Sequence, residues 1–146
     1  MSILEVTHLA KRYGEHVAVR DVSFAVEEGE IFGILGRNGA GKTTTVECVA
    51  GLRVPDAGRI VVDGLDPRRD HTELTRRLGV QLQSSALPDR ITVREAVGLF
   101  ASFHGYPVPV DDLIEQVGLA EKRGTRYGRL SGGQRQRLSI ALALVG

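Results

Sequence analysis

The chain of 146 residues has a single cysteine, Cys48. One thiol cannot close an intramolecular disulfide, and no Cys/His spacing has the pattern of a zinc site, so a stapled fold is excluded. A cytosolic compartment is the natural reading. No apolar run approaches the roughly 18 residues needed to cross a bilayer. The segment Met1 to Arg12 has no positive leader ahead of an apolar stretch, and Glu5 stands where a signal core would begin. Charge of one sign is missing too. Lys+Arg is 19 and Asp+Glu is 18, a formal net charge of +1. That balance excludes a polyanion-seeking arm as the main theme but leaves room for a local basic patch. There is no internal repeat and no low-complexity tract. What remains, 42% hydrophobic and 25% charged residues, is the composition of one ordinary globular domain.

Glycine is the exception. There are 18, where an average chain of this length would carry about 10. Many fall in two short segments, GRNGAGKT and SGGQ. Between and around them the hydrophobic pattern predicts the elements. Ile3 to Leu9 and Ala18 to Val26 read as strands, the latter with Val19, Val22, Phe24 and Val26 on a buried face. Tyr13-Gly14-Glu15 is a turn. Ile31 to Leu35, apolar and bounded by glycines, predicts a strand buried on both faces. Val46, Val49 and Ala50 predict a helix from Gly41 to Ala50, with Gly51 just past its end. Val54 to Gly58 is turn chemistry, and Ile60 to Val62 a strand. Arg68 to Leu78 predicts an exposed helix, and Gly79 to Leu82 a short strand. Thr92 to His104, Asp111 to Val117 and Ser131 to Val145 predict three further helices. The first carries a stripe of Val93, Ala96, Val97 and Phe100. Thr92 with Glu95, and Ser131 with Gln134, have capping-box spacing. Asp111, Asp112 and Glu115 complement a helix dipole. Strands first, helices later, predict an α/β protein with accessory subdomains.

The first glycine segment satisfies G-x-x-x-x-G-K-[ST] in full: Gly36, Arg37, Asn38, Gly39, Ala40, Gly41, Lys42, Thr43. A chain of this length would show the pattern by chance about once in two hundred cases at average residue frequencies. Here it also sits between a predicted strand and a predicted helix. A nest of backbone N–H groups around phosphate oxygens needs residues free to adopt positive φ, and Gly36, Gly39 and Gly41 offer that freedom. The helix that follows aims unpaired N–H groups and its positive dipole end at the anion. Lys42 supplies charge to the β- and γ-phosphates, and the Thr43 hydroxyl is placed to ligate magnesium.

The second segment, Leu130-Ser131-Gly132-Gly133-Gln134, reads LSGGQ. With GRNGAGKT upstream and a helical stretch between, the chain resembles the nucleotide-binding domain of ABC transporters from Ile3 to Val145. The resemblance implies a P-loop NTPase core, a parallel sheet flanked by helices. An N-terminal antiparallel β subdomain over 1–30 joins that core over 31–83. A helical signature subdomain over 84–134 and a return helix over 135–146 follow. It implies ATP and Mg2+ as cofactors. Tyr13 matches the aromatic that stacks on adenine, and Thr44 closes the phosphate loop after Thr43. Gln83 resembles the Q-loop glutamine that contacts magnesium or the attacking water. Arg37 stands where the family commonly has proline, at an unconstrained position. Leu130, Ser131, Gly132, Gly133 and Gln134 look like the signature that reaches the nucleotide of a second subunit in a head-to-tail dimer. The partners implied are that subunit and a transmembrane permease, with the chain peripheral on the cytoplasmic side of the membrane.

The family's domain runs on past the signature helix to a Walker B aspartate, an adjacent glutamate, a D-loop and a switch histidine. None follows Val145, and His8, His16, His71 and His104 all precede the signature. The expectation is a C-terminally truncated domain, with the nucleotide grip but without the hydrolytic carboxylate. Such a chain would be marginally stable and without turnover. The stretches Leu78 to Gln83 and Ile91 to Glu95 resemble the bacterial drug- and antibiotic-exporter type. A soluble ABC-type ATPase of DNA repair or translation and a non-catalytic nucleotide-binding module stand as alternatives. The former usually carries coiled-coil, zinc or tandem insertions, and none is visible here. The basic residues Lys122, Arg123, Arg126, Arg129, Arg135 and Arg137 lack aromatic interleaving beyond Tyr127, so a solvated face is expected rather than nucleic-acid binding. Cys48, beside Val46 and Val49, reads as a small core residue.

Overall fold

In the computed structural model, residues 1–81, 86–104 and 107–145 are described. The chain divides into two compact units, Met1–Leu74 and Thr75–Gly146.

The first unit is built on a three-stranded antiparallel sheet of order β2-β1-β3, with β1 at Ser2–Tyr13, β2 at His16–Glu27 and β3 at Ala57–Val62. The strands extend beyond the apolar residues that predict them, because hairpin pairing carries the ladder out to its polar ends. Tyr13 pairs with His16 across a two-residue connection in which Gly14 has φ +58. The ladder between β1 and β2 is irregular at several places, one of them at His8. His8 has φ +48, and Gly58 has φ +94 with its α-carbon so near the backbone of Thr7 and His8 that a Cβ there would lie 2.5 Å from the His8 carbonyl oxygen. This bulge skips one residue, so that Val6 and Leu9, not residues two apart, are both buried. On β2 the parity changes between Val19 and Val22, next to the matching register shift at Leu9/Lys11. Val19 and Val26 are buried; Val22 and Phe24 are half-buried.

Helix α1, Lys42–Val49, packs its Thr45 and Cys48 inward. It ends as predicted at Gly51. The Gly51 N–H donates to the Cys48 carbonyl at 3.1 Å and the Leu52 N–H to the Glu47 carbonyl at 2.8 Å, with Gly51 at φ +73. That is the paired closure of a Schellman motif, which needs a residue at ease in the left-handed region. Cys48 is 1% exposed, and burial pushes its thiol up from the ordinary range.

Three expectations need correction. Ile31 to Leu35 forms no strand. Among the described residues no neighbouring strand pairs with it, and Ile31 and Leu35 are 99% and 94% exposed. An apolar run is pulled into a strand by its ladder, not by its composition. Its one aromatic, Phe32, stacks on Phe24 of β2 with centroids 5.0 Å apart. Residues 79–81 likewise show no strand. The helix expected over Arg68 to Leu78 is a single turn, α2, His71–Leu74. The reason is local: the Asp66 and Asp70 side chains bond backbone N–H groups, at Arg68 and Asp66 respectively, and hold residues 66–70 as a turn.

The second unit is helical: α3 at Val93–Ala101, α4 at Val110–Gln116, two short 3-10 turns at Ala120–Lys122 and Tyr127–Arg129, and α5 at Gly132–Ala143. The predicted α3 stripe is the core face. Val93, Ala96 and Val97 are fully buried, and they cluster with Ile114, Leu119, Leu138 and Ala141. Both predicted capping boxes form, Thr92/Glu95 on α3 and Ser131/Gln134 on α5. The apolar end of α5 is not buried all round, since Ile140 and Leu144 are 39% and 53% exposed.

Candidate phosphate-binding site

The loop between residue 35 and α1 lies on the surface of the first unit, with residues 36–40 exposed. A turn closes inside it, where the Ala40 N–H donates to the Arg37 carbonyl at 3.2 Å. Gly39 has φ +81 and Gly41 φ +88. At Gly41 the constraint is double. A Cβ there would strike the Ala18 carbonyl of β2 and come within 3.0 Å of Val19 Cγ2. The loop is thus seated on the sheet at the point where only glycine fits. Gly36 differs from expectation. It is not at positive φ, and a Cβ would meet Ala40 and Lys42 only at 3.4 and 3.8 Å. Its small size leaves room; its dihedrals do not demand glycine.

Helix α1 starts without a side-chain cap, because its N-cap is Gly41. The first N–H groups of any helix lack intrahelical partners. Here no cap side chain covers them, an arrangement of the kind that accepts an anion. The Lys42 ammonium donates to the carbonyls of Gly36 and Arg37 at 2.6 and 2.7 Å. It bridges the mouth of the loop. An ammonium has three donors, and a phosphate oxygen would offer a charged acceptor in place of these neutral carbonyls. Thr43 is exposed, with its hydroxyl in the first turn, whereas Thr45 is buried and donates back to the Gly41 carbonyl at 2.9 Å. The donor set fits a magnesium-bound polyphosphate: bare amides, a mobile ammonium and an exposed hydroxyl. Under the loop, Val22, Phe24, Phe32, Ile34, Ala40 and Lys42 line a cavity of about 350 Å³.

Tyr13 ends β1 in the same unit, with 41% of its surface exposed. The Lys11 ammonium lies 5.5 Å and the Arg53 guanidinium carbon 5.8 Å from its ring centroid. Lys11 is held by Asp56 at 2.9 Å and Arg53 by Glu47 at 3.0 Å. Lys11, with the Arg12 N–H on the other carboxylate oxygen, holds the Asp56 carboxyl below its ordinary range.

Leu130 to Gln134 belong to the second unit, at the start of α5. Ser131 Oγ accepts from the Gln134 N–H at 3.2 Å, and Gln134 Oε1 accepts from the Ser131 N–H at 2.9 Å. Gly132 and Gly133 have open space where a Cβ would point, and neither is at positive φ. Gln83 lies outside the described residues.

Four arrangements were not legible in the sequence. Asp111 sits between Arg94 and Arg123, accepting from Arg94 Nη2 at 3.1 Å and from Arg123 Nε at 3.2 Å, and Arg94 above all draws its carboxyl down. Arg135 lies 4.9 Å over the buried Tyr127 ring and donates to the Gly128 carbonyl. Arg137 donates to the Gly118 carbonyl at 3.1 Å. The basic run is therefore only partly a solvated face; half of it ties the second unit together. Arg53 on Tyr13 is the fourth. Each pairs residues far enough apart in the chain that spacing carries no signal. Among the described residues, no three His, Cys, Asp or Glu side chains group to hold a metal ion, and no helix is long and apolar enough to cross a membrane.

A sheet subdomain, a glycine loop opening a helix and a helical unit headed by LSGGQ together define an ATP-binding cassette. Solved structures agree. An ATP-binding subunit of an ABC transporter superposes with a TM-score of 0.85 at 27% identity, over 98% of this chain and 62% of that one. The ADP conformation of another ABC transporter's ATP-binding cassette gives 0.82 at 27% identity, over 99% and 65%. A family model described as ABC transporter matches residues 19–146, and the chain belongs to that family. It is 42% identical, over 99% of its length, to the spermidine/putrescine import ATP-binding protein of Chromobacterium violaceum, covering 41% of that protein. It is 40% identical to the ABC transporter ATP-binding protein NatA of Bacillus subtilis, over 88% of this chain and 54% of that protein. It is 38% identical to a Nod factor export ATP-binding protein of Burkholderia orbicola, over 97% and 48%. The chain thus spans about half the length of the curated relatives it matches.

Proposed function

We propose that this chain is the nucleotide-gripping part of an ABC transporter ATP-binding subunit. The observation that carries the reading is the start of α1: a helix left uncapped at Gly41, with the Lys42 ammonium bridging the loop carbonyls in front of it. Gly36, Arg37, Asn38, Gly39, Ala40 and Gly41 cradle the phosphates with backbone amides. Lys42 exchanges its carbonyl partners for phosphate oxygens. Thr43 and Gln83 are the residues assigned to hold magnesium, and Thr44 closes the phosphate loop. Bound there, the ion supplies charge neutralisation of the phosphates. Tyr13 takes the base. Leu130 to Gln134 serve a second copy, with Ser131 and Gly133 facing its γ-phosphate, and nucleotide bridges two subunits head to tail. A transmembrane permease is the partner that makes the work transport, and it places the chain at the cytoplasmic face. The relatives include import and export subunits alike. An export direction rests on the stretches Leu78 to Gln83 and Ile91 to Glu95.

The test is calorimetric titration with ATP·Mg. A folded sample that takes up nucleotide at submillimolar concentration, and loses it with Lys42→Ala, supports the reading. A folded sample that ignores millimolar ATP·Mg sinks it.

A further inference from the structure

We propose that Arg53 is a positioning residue for the nucleobase: it holds the Tyr13 ring in register with the phosphate-binding helix. The inference rests on the nucleotide reading above.

A tyrosine at a hairpin end is free to turn about its side-chain bonds, and a base that stacks on it must first stop that motion. Tyr13 is instead held by two cations, both within the roughly 6 Å that brings a cation onto an aromatic face. The two have different anchors. Lys11 is bound to Asp56, whose other oxygen takes the Arg12 N–H, so this cation refers the ring to the sheet, through β1 and the residue that leads into β3. Arg53 refers it to α1. Its Nε donates to the Glu47 carboxylate at 3.0 Å and its backbone N–H to the Glu47 carbonyl at 3.1 Å. Glu47 lies five residues along the helix that begins at Lys42. Through Arg53, the Tyr13 ring on β1 is thus linked to the helix whose first turn follows the phosphate loop, with Arg53 as the strut.

The Arg53–Glu47 pair is half-exposed on the arginine side, and pairs of that kind add little to folding stability. Its effect is therefore read in binding, and only for ligands that have a base. Titrate ATP·Mg and tripolyphosphate·Mg into the wild-type chain and into Arg53→Met and Arg53→Lys, by calorimetry and by tyrosine emission. The chain has three tyrosines and no tryptophan, so stacking on Tyr13 is visible as quenching. Arg53→Met is expected to weaken ATP about 3- to 5-fold, the loss of one exposed cation–π contact. Tripolyphosphate affinity and the thermal midpoint stay unchanged, and Arg53→Lys recovers part of the loss. Unchanged or tighter ATP binding in Arg53→Met overturns the inference, as does an equal loss for both ligands. If the wild-type chain binds neither ligand, the nucleotide reading itself has failed. If it binds both and Arg53→Met makes no difference, only the strut is lost.

Discussion

The two glycine-rich segments both open a helix, and they open it in opposite ways. At α1 the N-cap is a glycine at φ +88, no side chain closes the end, and the neighbouring cation is folded over the opening. At α5 the end is closed by the chain's own Ser131 and Gln134, and the glycines sit under open space at ordinary dihedrals. At Gly39 and Gly41 glycine is there because the fold needs it. At Gly132 and Gly133 the fold would accept a side chain. A glycine motif thus conveys two different messages: strain inside the molecule, or vacancy outside it.

Substitution at the glycines breaks this contrast most sharply. Gly41→Ala places a methyl group on the Ala18 carbonyl in a dihedral region alanine avoids, and is expected to destabilise the first unit by about 4 kcal/mol. Gly133→Ala, inside a helix with free space, is expected to do the reverse by up to about 1 kcal/mol in the second. Denaturant unfolding of the two variants checks the signs; a destabilised Gly133→Ala would remove the distinction. Lys42→Ala comes next. It should cost about 100-fold in ATP·Mg affinity, the worth of one or two charge-assisted bonds, with the thermal midpoint unmoved. Equal binding by wild type and variant would show the open helix end to be no anion site. Ser131→Ala removes a cap and should lower the stability of the second unit by about 1 kcal/mol, measured in urea.

The smallest effect separates the two capping boxes from one another. On α3 the partner of Thr92 is Glu95, whose carboxylate accepts from the Thr92 N–H and hydroxyl at 2.8 and 2.9 Å. The Thr92 backbone N–H, first, pulls the Glu95 carboxyl below its ordinary range. On α5 the same place is taken by Gln134, which does not titrate. A carboxyl depressed in the folded state contributes stability that is complete above its unfolded value, about 4.3, and is lost as pH falls through the folded one. The second unit should therefore weaken on acidification below about pH 4.5, with Asp111 adding in the same direction. Glu95→Gln should flatten that slope, and Gln134→Glu should steepen it. Unfolding midpoints between pH 3 and 6 decide the matter, and an acid slope unchanged by Glu95→Gln would refute the assignment.

These particular residues show how far the sequence could be followed. Thr92, Glu95, Ser131, Gln134, Gly51 and the α3 stripe were legible because each acts within three or four positions of its partner. The positive φ of Gly39 and Gly41 was foreseen in the same way, whereas that of Gly36 was not found. Ile31 to Leu35 misled, because a strand exists only when another backbone accepts it. The bulge at His8 was invisible, since it is decided by the approach of Gly58 from fifty residues away. Arg94, Asp111 and Arg123 lie seventeen and twelve residues apart in sequence, and no periodic signal reaches over those distances.

What the amino-acid order determined by itself was therefore governed by local geometry: the capped starts of α3 and α5 and the glycine stop of α1. Tertiary structure alone decided the register shift that buries both Val6 and Leu9, the Asp111 bridge, and the contact that ties Tyr13 through Arg53 to α1. The physical reason is range. Caps and turns are satisfied by neighbours along the chain, whereas ladders, ion pairs and ring contacts depend on which distant segments the folded backbone brings within a few ångströms.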